Sequence, residues 1–217
     1  MDFRRQLDLV KEEALVTPIA VVGCGGIGTF TALALAKMGC RNLTLYDDDL
    51  VEGHNIPNQL YRVEDVGRAK VDALAEILKA FTGLSPDRRR ERVDGQRLMG
   101  VVIAGIDSMK ARKILWQKSI RYRASVPLYL DARMGAEVAR LYTIRPADPD
   151  DVRFYERTLY DDAEAFEPPC TAASIIYNGF SIAALIASQV KKFLMGEGPR
   201  QEILFDLKTL TLTTTEG

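Results

Sequence analysis

The sequence predicts an α/β fold in which a parallel sheet is completed by antiparallel strands and helices cover both faces. Short, fully apolar runs at 19–22 and 101–104 are typical of buried parallel strands, and a helical pattern follows each of them. After residue 137 the pattern changes to alternating apolar and polar residues, at 138–144 and again in two short runs within 202–213. Such alternation is typical of antiparallel strands and hairpins. The mixed sheet follows from these two kinds of pattern.

A glycine-rich turn joins the first predicted strand to the first predicted helix. The sequence from Gly23 to Gly28 reads G-C-G-G-I-G and directly follows the apolar run 19–22. Glycine permits the sharp turn and lets backbone N–H groups approach a phosphate, which the dipole of the following helix also favours. Asp47 and Asp49 follow the second predicted strand, about 20 positions beyond the glycines, where an acidic side chain suits a ribose hydroxyl. These features together predict a Rossmann-like nucleotide-binding half.

The remaining pattern gives the order of the elements. No internal repeat or linker interrupts the chain, so we predict one domain over residues 1–217. Within it we expect an N-terminal helix in 1–16, the nucleotide-binding half in 17–135, and a crossover loop, a long helix and a C-terminal hairpin in 136–217. The predicted helices lie at 29–38, 68–81, 108–121 and 171–194. The acidic stretch 148–167 lacks periodicity and is predicted to be either a lid or a solvated loop.

Acidic residues follow three of the predicted parallel strands. Asp47, Asp107 and Asp131 each lie where an apolar run ends. Ligands of open α/β sheets bind beyond the carboxyl ends of the strands. Taken singly, each residue is as well explained by a helix cap or a solvated turn. Their occurrence at successive strand ends favours a site.

Composition excludes several classes of function. The net charge of −1 gives no indication of a nucleic acid partner or an acidic membrane surface. No apolar run reaches membrane-spanning length, and residues 1–11 are charged rather than signal-like. Three widely spaced cysteines indicate a reducing compartment, which predicts a cytoplasmic location. They form no C-x-x-C pair, so we expect no zinc site. The one histidine, His54, lies in a polar loop and disfavours Ser-His-Asp catalysis.

Further motifs accompany the glycine turn. They are L-T-L-Y-D ending at Asp47, Asn55 with Gln59, V-G-R-A-K ending at Lys70, G-I-D-S around Asp107, R-R-Q around Arg5, and Cys170 before an apolar helix. With these motifs the chain resembles the ThiF/MoeB adenylyltransferases, the superfamily that includes the ubiquitin-activating enzymes. The resemblance extends over nearly all of the chain. An ordinary dehydrogenase has no reason to carry Asn55, Lys70 and Asp107 together.

The resemblance implies adenylation of the C-terminal carboxylate of a small ubiquitin-like or sulfur-carrier protein by ATP and Mg²⁺. An ionised carboxylate needs no general base, so such a site works by positioning and charge neutralisation. By resemblance, Asp47 would hold the ribose, Lys70 would neutralise the α-phosphate region, and Asp107 would hold Mg²⁺. The implied nucleotide-binding residues are Gly23, Gly25, Gly26, Gly28, Asp47, Asp49, Gln59 and Lys70, and the implied catalytic residues are Arg5, Asn55, Lys70, Asp107 and Cys170.

Two of these implied roles involve a second subunit or a covalent intermediate. Arg5 would contact the γ-phosphate of ATP in another subunit, which implies a homodimer. Cys170 would carry the substrate covalently, at a helix start where the dipole favours a thiolate. The same cysteine is equally well explained as a small apolar residue under a loop.

The chain also departs from the family's pattern. Asn58 precedes Gln59 where the family usually has arginine, so one cation is missing from the expected phosphate site. Arg62 lies nearby in sequence and is a candidate replacement. The missing cation leaves open an inactive ATP-binding scaffold. The glycine turn alone would also suit an NAD-dependent oxidoreductase. A relative that activates modified tRNA is the third alternative, which the balanced charge disfavours.

Overall fold

The computed structural model describes residues 2–6, 8–160 and 175–216, and its strands form an eight-stranded mixed sheet. The strand order is β3-β2-β1-β4-β5-β6-β7-β8. The pairs among β1 to β5 are parallel, whereas β5, β6, β7 and β8 pair antiparallel in succession. The strands are β1 Ile19–Val22, β2 Leu43–Tyr46, β3 Asp87–Arg89, β4 Val101–Ala104, β5 Leu128–Gly135, β6 Val138–Ile144, β7 Glu202–Asp206 and β8 Thr211–Thr215.

Helices cover both faces of this sheet, which confirms the predicted fold class. Alternate residues of β4 enter two separate cores, since Val101 and Ile103 pack with one set of helices and Val102 and Ala104 with the other. The helices are α1 Gly28–Met38, α2 Lys70–Thr82, α3 Met109–Leu115, α4 Pro149–Glu156 and α5 Ile176–Leu194. The first core contains residues of α1, α2 and α5, and the second contains residues of α3 and α4. A π-helical turn, Trp116–Ile120, extends α3.

The N-terminal helix predicted in 1–16 is instead two short 3₁₀ turns, Arg4–Gln6 and Glu12–Val16. The Asp2 carboxylate accepts hydrogen bonds from the backbone and side chain of Arg4, which competes with helical hydrogen bonding. A helix this short is marginal without tertiary packing. Val10 and Leu15 are buried in the core, so tertiary packing as well as local contacts decides the conformation of this segment.

The structure adds two elements, β3 and α4, to those that the sequence predicts. β3 is an exposed edge strand of charged residues, so apolar periodicity does not reveal it. α4 lies in the acidic stretch, with Asp148 accepting from the N–H of Asp150 (2.9 Å) and Pro149 at the first helical position. Val152 and Tyr155 of α4 are buried, so residues 149–156 are neither a lid nor a solvated loop. Residues 161–174 of that stretch lie outside the described residues.

Candidate active site

The glycine turn lies between the end of β1 and the start of α1. Gly23 has φ +93°, and a side chain there would come within 2.5 Å of the Gly105 carbonyl oxygen. A side chain on Gly28 would clash with the Gly23 carbonyl oxygen. Around Gly25, by contrast, the space is open. Packing therefore requires Gly23 and Gly28, while Gly25 leaves room for another molecule.

The N-terminus of α1 is available to an anion. Among the described residues no side chain caps it, and its first turn carries no acidic residue. The Thr29 hydroxyl donates to the Gly25 carbonyl oxygen (2.8 Å) and accepts from the N–H of Leu60 (3.3 Å). Thr29 thus fixes the turn and ties it to the loop after β2. The free N–H groups and helix dipole at this end suit a phosphate.

Asp47 joins the end of β2 to the glycine turn. One carboxylate oxygen accepts from the N–H of Cys24 (2.7 Å), and the other accepts from the N–H of Asp49 (2.8 Å). Burial raises the pKa of the Asp47 carboxyl above its usual value, while the charge of Lys70 and the two N–H groups oppose that rise. Each carboxylate oxygen has a second lone pair, so the group can still accept from a hydroxyl.

Lys70, the first residue of α2, brings a charged amine to the same place. Its side chain is only 10% exposed, and Nζ lies 2.9 Å from Asp49 Oδ2. The Lys70 N–H also donates to the Asp49 carbonyl oxygen (3.0 Å). Burial acts to lower the pKa of Lys70, but Asp47 and Asp49 outweigh it and hold that pKa above its usual value. Lys70 is therefore a protonated, largely buried cation beside the glycine turn.

Tyr61 is a site residue that sequence reasoning missed. Its buried hydroxyl donates to the Cys24 carbonyl oxygen (2.7 Å) and lies 3.3 Å from the Lys70 carbonyl oxygen. The hydroxyl therefore links the glycine turn to the start of α2. An aromatic residue in a polar loop was the only signal for this role.

The loop after β2 places amide side chains near the turn. Asn55 is buried, and its Oδ1 accepts from the N–H of Glu52 (2.8 Å); its role as a catalytic residue stays a prediction. The side-chain oxygens of Asn58 and Gln59 are buried without a partner in the described part of the chain. The Asn58 carbonyl oxygen lies 3.1 Å from where a side chain on Gly26 would begin. A buried acceptor without a partner is costly, so these two oxygens indicate that a hydrogen-bond donor is absent from the structure.

Acidic groups crowd the same edge of the sheet. Carboxylate oxygens of Asp47, Asp48 and Asp49 lie within 4.8 Å of one another. Exposed Asp107 follows β4 and is not a member of that group. Arg92 Nε lies 2.9 Å from both carboxylate oxygens of Asp48, and this hydrogen bond raises the pKa of Arg92, with a smaller contribution from Asp107. The assignment of Mg²⁺ to Asp107 stays a prediction.

Asp131 does not lie at a strand end. β5 runs on to Gly135, and Asp131 pairs with Ala104, the last residue of β4. Its carboxylate is fully buried and bonded to Arg112 and Arg133, so it is not a ligand. The prediction was wrong because the apolar run stops at Asp131 although the strand does not. Charged partners from elsewhere in the chain make the burial possible.

Arg62 is engaged with another side chain, and Arg5 lies at the far end of α1 from the glycine turn. Arg62 makes a two-pronged ion pair with Asp65, so it is already engaged in the loop. Arg5 is exposed on a turn that is anchored at the far end of α1, where Gln6 Nε2 donates to the Met38 carbonyl oxygen (2.5 Å). The helix separates Arg5 from its own glycine turn by roughly 15 Å. Arg5 therefore cannot serve the site of its own chain.

The structure describes two of the three cysteines, Cys24 and Cys40. Cys24 and Cys40 are buried; burial raises the pKa of Cys40 to about 12 and that of Cys24 well above its usual value. Both are buried packing residues, and their raised pKa values disfavour the reactive thiolate form. Cys170, the candidate covalent acceptor, lies outside the described residues.

The fold defines an α/β protein with a Rossmann-like half. The ThiF family model matches residues 5–216, and the chain belongs to the ThiF family. The resemblance seen in the motifs is thereby confirmed. None of the described helices is long and apolar enough to cross a membrane.

Several named proteins are similar to this chain. The sulfur carrier protein ThiS adenylyltransferase of Escherichia coli K12 is 29% identical over 213 residues, covering 92% of this chain and 81% of its own. The NEDD8-activating enzyme E1 catalytic subunit of Arabidopsis thaliana is 32% identical over 104 residues. That match covers 45% of this chain and only 23% of the relative. The shared portion is thus less than a quarter of that enzyme.

Solved structures share the fold. E. coli MccB, crystallised with AMPCPP and MccA, superposes with a TM-score of 0.71 at 16% identity, covering 96% of this chain and 66% of its own. PaaA gives a TM-score of 0.75 at 21% identity, covering 99% and 68%. At such identities the likeness concerns the fold alone.

Proposed function

We propose that this chain is an adenylyltransferase that uses ATP to activate the C-terminal carboxylate of a small ubiquitin-like or sulfur-carrier protein. Family membership supports the class of enzyme, and the similarity to ThiS adenylyltransferase over 92% of the chain supports the class of substrate. The observation that carries the proposal is one connected unit: Cys24 N–H to Asp47, Asp49 N–H to Asp47, and Lys70 to Asp49. It joins a phosphate turn, a ribose acceptor and a cation.

The residues present fit ATP. Open space at Gly25 and the uncapped start of α1 provide room and N–H donors for phosphate oxygens. Lys70 supplies a positive charge, and Asp47 keeps lone pairs for a ribose hydroxyl. The unpaired amide oxygens of Asn58 and Gln59 accept hydrogen bonds, so they suit a hydroxyl or an amino group of the nucleotide rather than a phosphate oxygen.

The acidic edge also fits Mg²⁺, because hard cations prefer carboxylate oxygens. We assign Asp107, which follows β4, as the protein ligand; the carboxylates of Asp47, Asp48 and Asp49 follow β2 at the same edge of the sheet. When bound, Mg²⁺ would offset the negative charge of the phosphates. The chain's own part is to hold an exposed carboxylate at the end of β4 for it.

The reaction needs little acid–base chemistry from the protein. One carboxylate oxygen of the carrier bonds to the α-phosphorus, and the bond from that phosphorus to the bridging oxygen of pyrophosphate breaks. The attacking carboxylate is already ionised, so no proton is removed. Lys70 and the turn's N–H groups would neutralise charge on the phosphates, and alignment would do the rest.

We further propose a homodimer in which Arg5 reaches the ATP of the second subunit. The reason is the roughly 15 Å that α1 puts between Arg5 and its own glycine turn. Acceptance of the activated carrier by Cys170 stays a prediction from the resemblance, and a cytoplasmic location stays a prediction from the cysteine content.

Titration calorimetry with ATP and Mg²⁺, beside NADH, tests the nucleotide. We expect ATP to bind and NADH not to bind. Binding of NADH alone would contradict the proposal and favour an NAD-dependent oxidoreductase instead. The control protein is Lys70→Ala, which should bind ATP more weakly because the cation is gone.

An ATP-binding scaffold without catalysis is the second candidate, and one observation favours it. Asn58 stands where the family usually has arginine, and Arg62 cannot replace that cation because Asp65 holds it. Tight ATP binding without any carrier-dependent exchange of pyrophosphate into ATP would establish the scaffold. Exchange that depends on a carrier would exclude it.

A further inference from the structure

A buried ion network lies next to the turn that carries Asp107. Asp131 and Arg112 are fully buried, and Arg133 is nearly so. Asp131 accepts from Arg112 Nε (2.7 Å), from Arg133 Nε (2.9 Å) and from the Tyr155 hydroxyl (3.0 Å). Buried ion pairs contribute little net stability compared with apolar packing of the same volume. Stability alone therefore does not explain why two arginines and one carboxylate are buried here.

The network reaches the backbone beside Asp107 through Arg112. Arg112 Nη2 donates to the Ile106 carbonyl oxygen (2.6 Å), and Ile106 immediately precedes Asp107. A planar guanidinium can make both bonds because its donors point in fixed directions. One side chain thus joins Asp131 on β5 to the peptide group that leads into Asp107.

The other side of this turn rests on the glycine turn. The Gly105 N–H donates to the Val22 carbonyl oxygen (2.9 Å), and a side chain on Gly105 would come within 3.0 Å of Ile27. The backbone at Gly105 and Ile106 is therefore held between the start of α1 and Arg112. Asp107 itself is exposed, so its direction depends on the peptide that precedes it.

We propose that Asp131 is a positioning residue that acts through Arg112: it fixes the Ile106 peptide and so aims the Asp107 carboxylate at the Mg²⁺ of bound ATP. This inference rests on the proposed function. Groups behind a metal ligand typically change metal affinity about 10-fold or more when removed. Loss of this network should therefore weaken the contribution of Mg²⁺ to ATP binding.

The chain offers a matched control in Asp151. This carboxylate, on α4, is almost fully buried and accepts from Arg145 Nε (2.8 Å) and Nη2 (3.0 Å). It bonds to Arg145 and Gln201, not to the Asp107 turn. Asp131→Asn and Asp151→Asn both remove a buried carboxylate from an arginine, so both should lower the thermal midpoint. Only the first should affect Mg²⁺.

The test is calorimetry of ATP binding to the full chain, with Mg²⁺ and with EDTA. The gain in ATP affinity that Mg²⁺ produces should fall about 10-fold in Asp131→Asn and be unchanged in Asp151→Asn. Arg112→Lys keeps the charge but cannot span both acceptors, so it should resemble Asp131→Asn. It also supplies the measurement if Asp131→Asn does not fold.

An unchanged gain in folded Asp131→Asn or Arg112→Lys would overturn the inference and leave the proposed function intact. An equal loss in Asp151→Asn would overturn it too, because the effect would then be general destabilisation. Wild-type protein that binds ATP equally with and without Mg²⁺ would show that Asp107 holds no Mg²⁺, and this result would also overturn the inference. Wild-type protein that binds no ATP would overturn the proposed function itself.

Discussion

The ammonium nitrogen of Lys70 lies 2.9 Å from Asp49 Oδ2, where the carboxyl end of β2 meets the glycine turn. Lys70 is buried at the start of α2, and Asp49 also accepts its backbone N–H. Both contacts place the cation before any nucleotide arrives. A positioned charge of this kind needs no reorganisation when phosphate binds.

Lys70→Ala should weaken ATP binding by about 10-fold or more, because hydrogen bonds to charged groups are among the strong ones. Calorimetry with ATP and Mg²⁺ measures the change. Lys79→Ala is the matched control, since Lys79 is an exposed lysine on the same helix. Equal affinity in Lys70→Ala and wild type would remove Lys70 from the site.

Gly25→Ala should affect ATP binding, whereas Gly28→Ala should affect stability. Gly25 borders open space, so Gly25→Ala should keep the thermal midpoint close to that of wild type while weakening ATP binding. Gly28→Ala places a methyl group on the Gly23 carbonyl oxygen and should destabilise the fold by about 3 kcal/mol or more. Thermal unfolding with and without ATP separates the two effects. Undiminished ATP binding in Gly25→Ala would show that phosphate does not approach this turn.

Tyr61→Phe should lower the free energy of unfolding by about 1 kcal/mol, because the buried Cys24 carbonyl oxygen loses a hydrogen bond. ATP binding should weaken with it, since the hydroxyl links the glycine turn to α2. Urea denaturation measures the stability. Tyr122→Phe, at an exposed tyrosine, should change the free energy by less than about 0.5 kcal/mol.

Asp151 should contribute to acid sensitivity. Burial acts to raise the pKa of its carboxyl, but Arg145 outweighs it and holds that pKa below the usual 3.8. A lowered pKa in the folded protein means stability that is present above pH 3.8 and lost as the pH falls through the folded value. Wild type should thus exceed Asp151→Asn in stability at pH 7, and the difference should shrink below pH 3.8. A difference that is constant from pH 7 to about pH 3 would contradict the assigned pKa.

Arg5→Ala and Lys70→Ala should complement each other if Arg5 serves the second subunit. Each variant alone should lose activity. After subunit exchange, a mixed dimer has one complete site, so an equal mixture should recover about a quarter of wild-type activity. No recovery in a mixture shown to contain mixed dimers would mean that Arg5 does not act across the interface.

Much of the fold could be predicted from local pattern, because apolar runs and the glycine turn act over a few residues. Asp47 was placed by its spacing from the turn, and the C-terminal hairpin by alternation. β3 was invisible because its residues are charged and exposed. α4 had a signal, Asp148 followed by Pro149, that overall acidity obscured.

The site was less predictable because its contacts join distant parts of the chain. Asp131 looked like a strand-end ligand, since sequence does not show that Arg112 and Arg133 surround it. Tyr61 carried no motif, yet it bonds to Cys24 across the turn. Pairing between remote residues, rather than local propensity, decides both cases.

The most direct test of the central claim is exchange of labelled pyrophosphate into ATP in the presence of a carrier, starting with E. coli ThiS and NEDD8. Adenylation predicts exchange that requires this chain, Mg²⁺ and a carrier with an intact C-terminus, and that is lost in Lys70→Ala. A carrier that lacks its last residue is the control. Exchange that proceeds equally with the truncated carrier, or ATP binding with no exchange for any carrier offered, would contradict the claim.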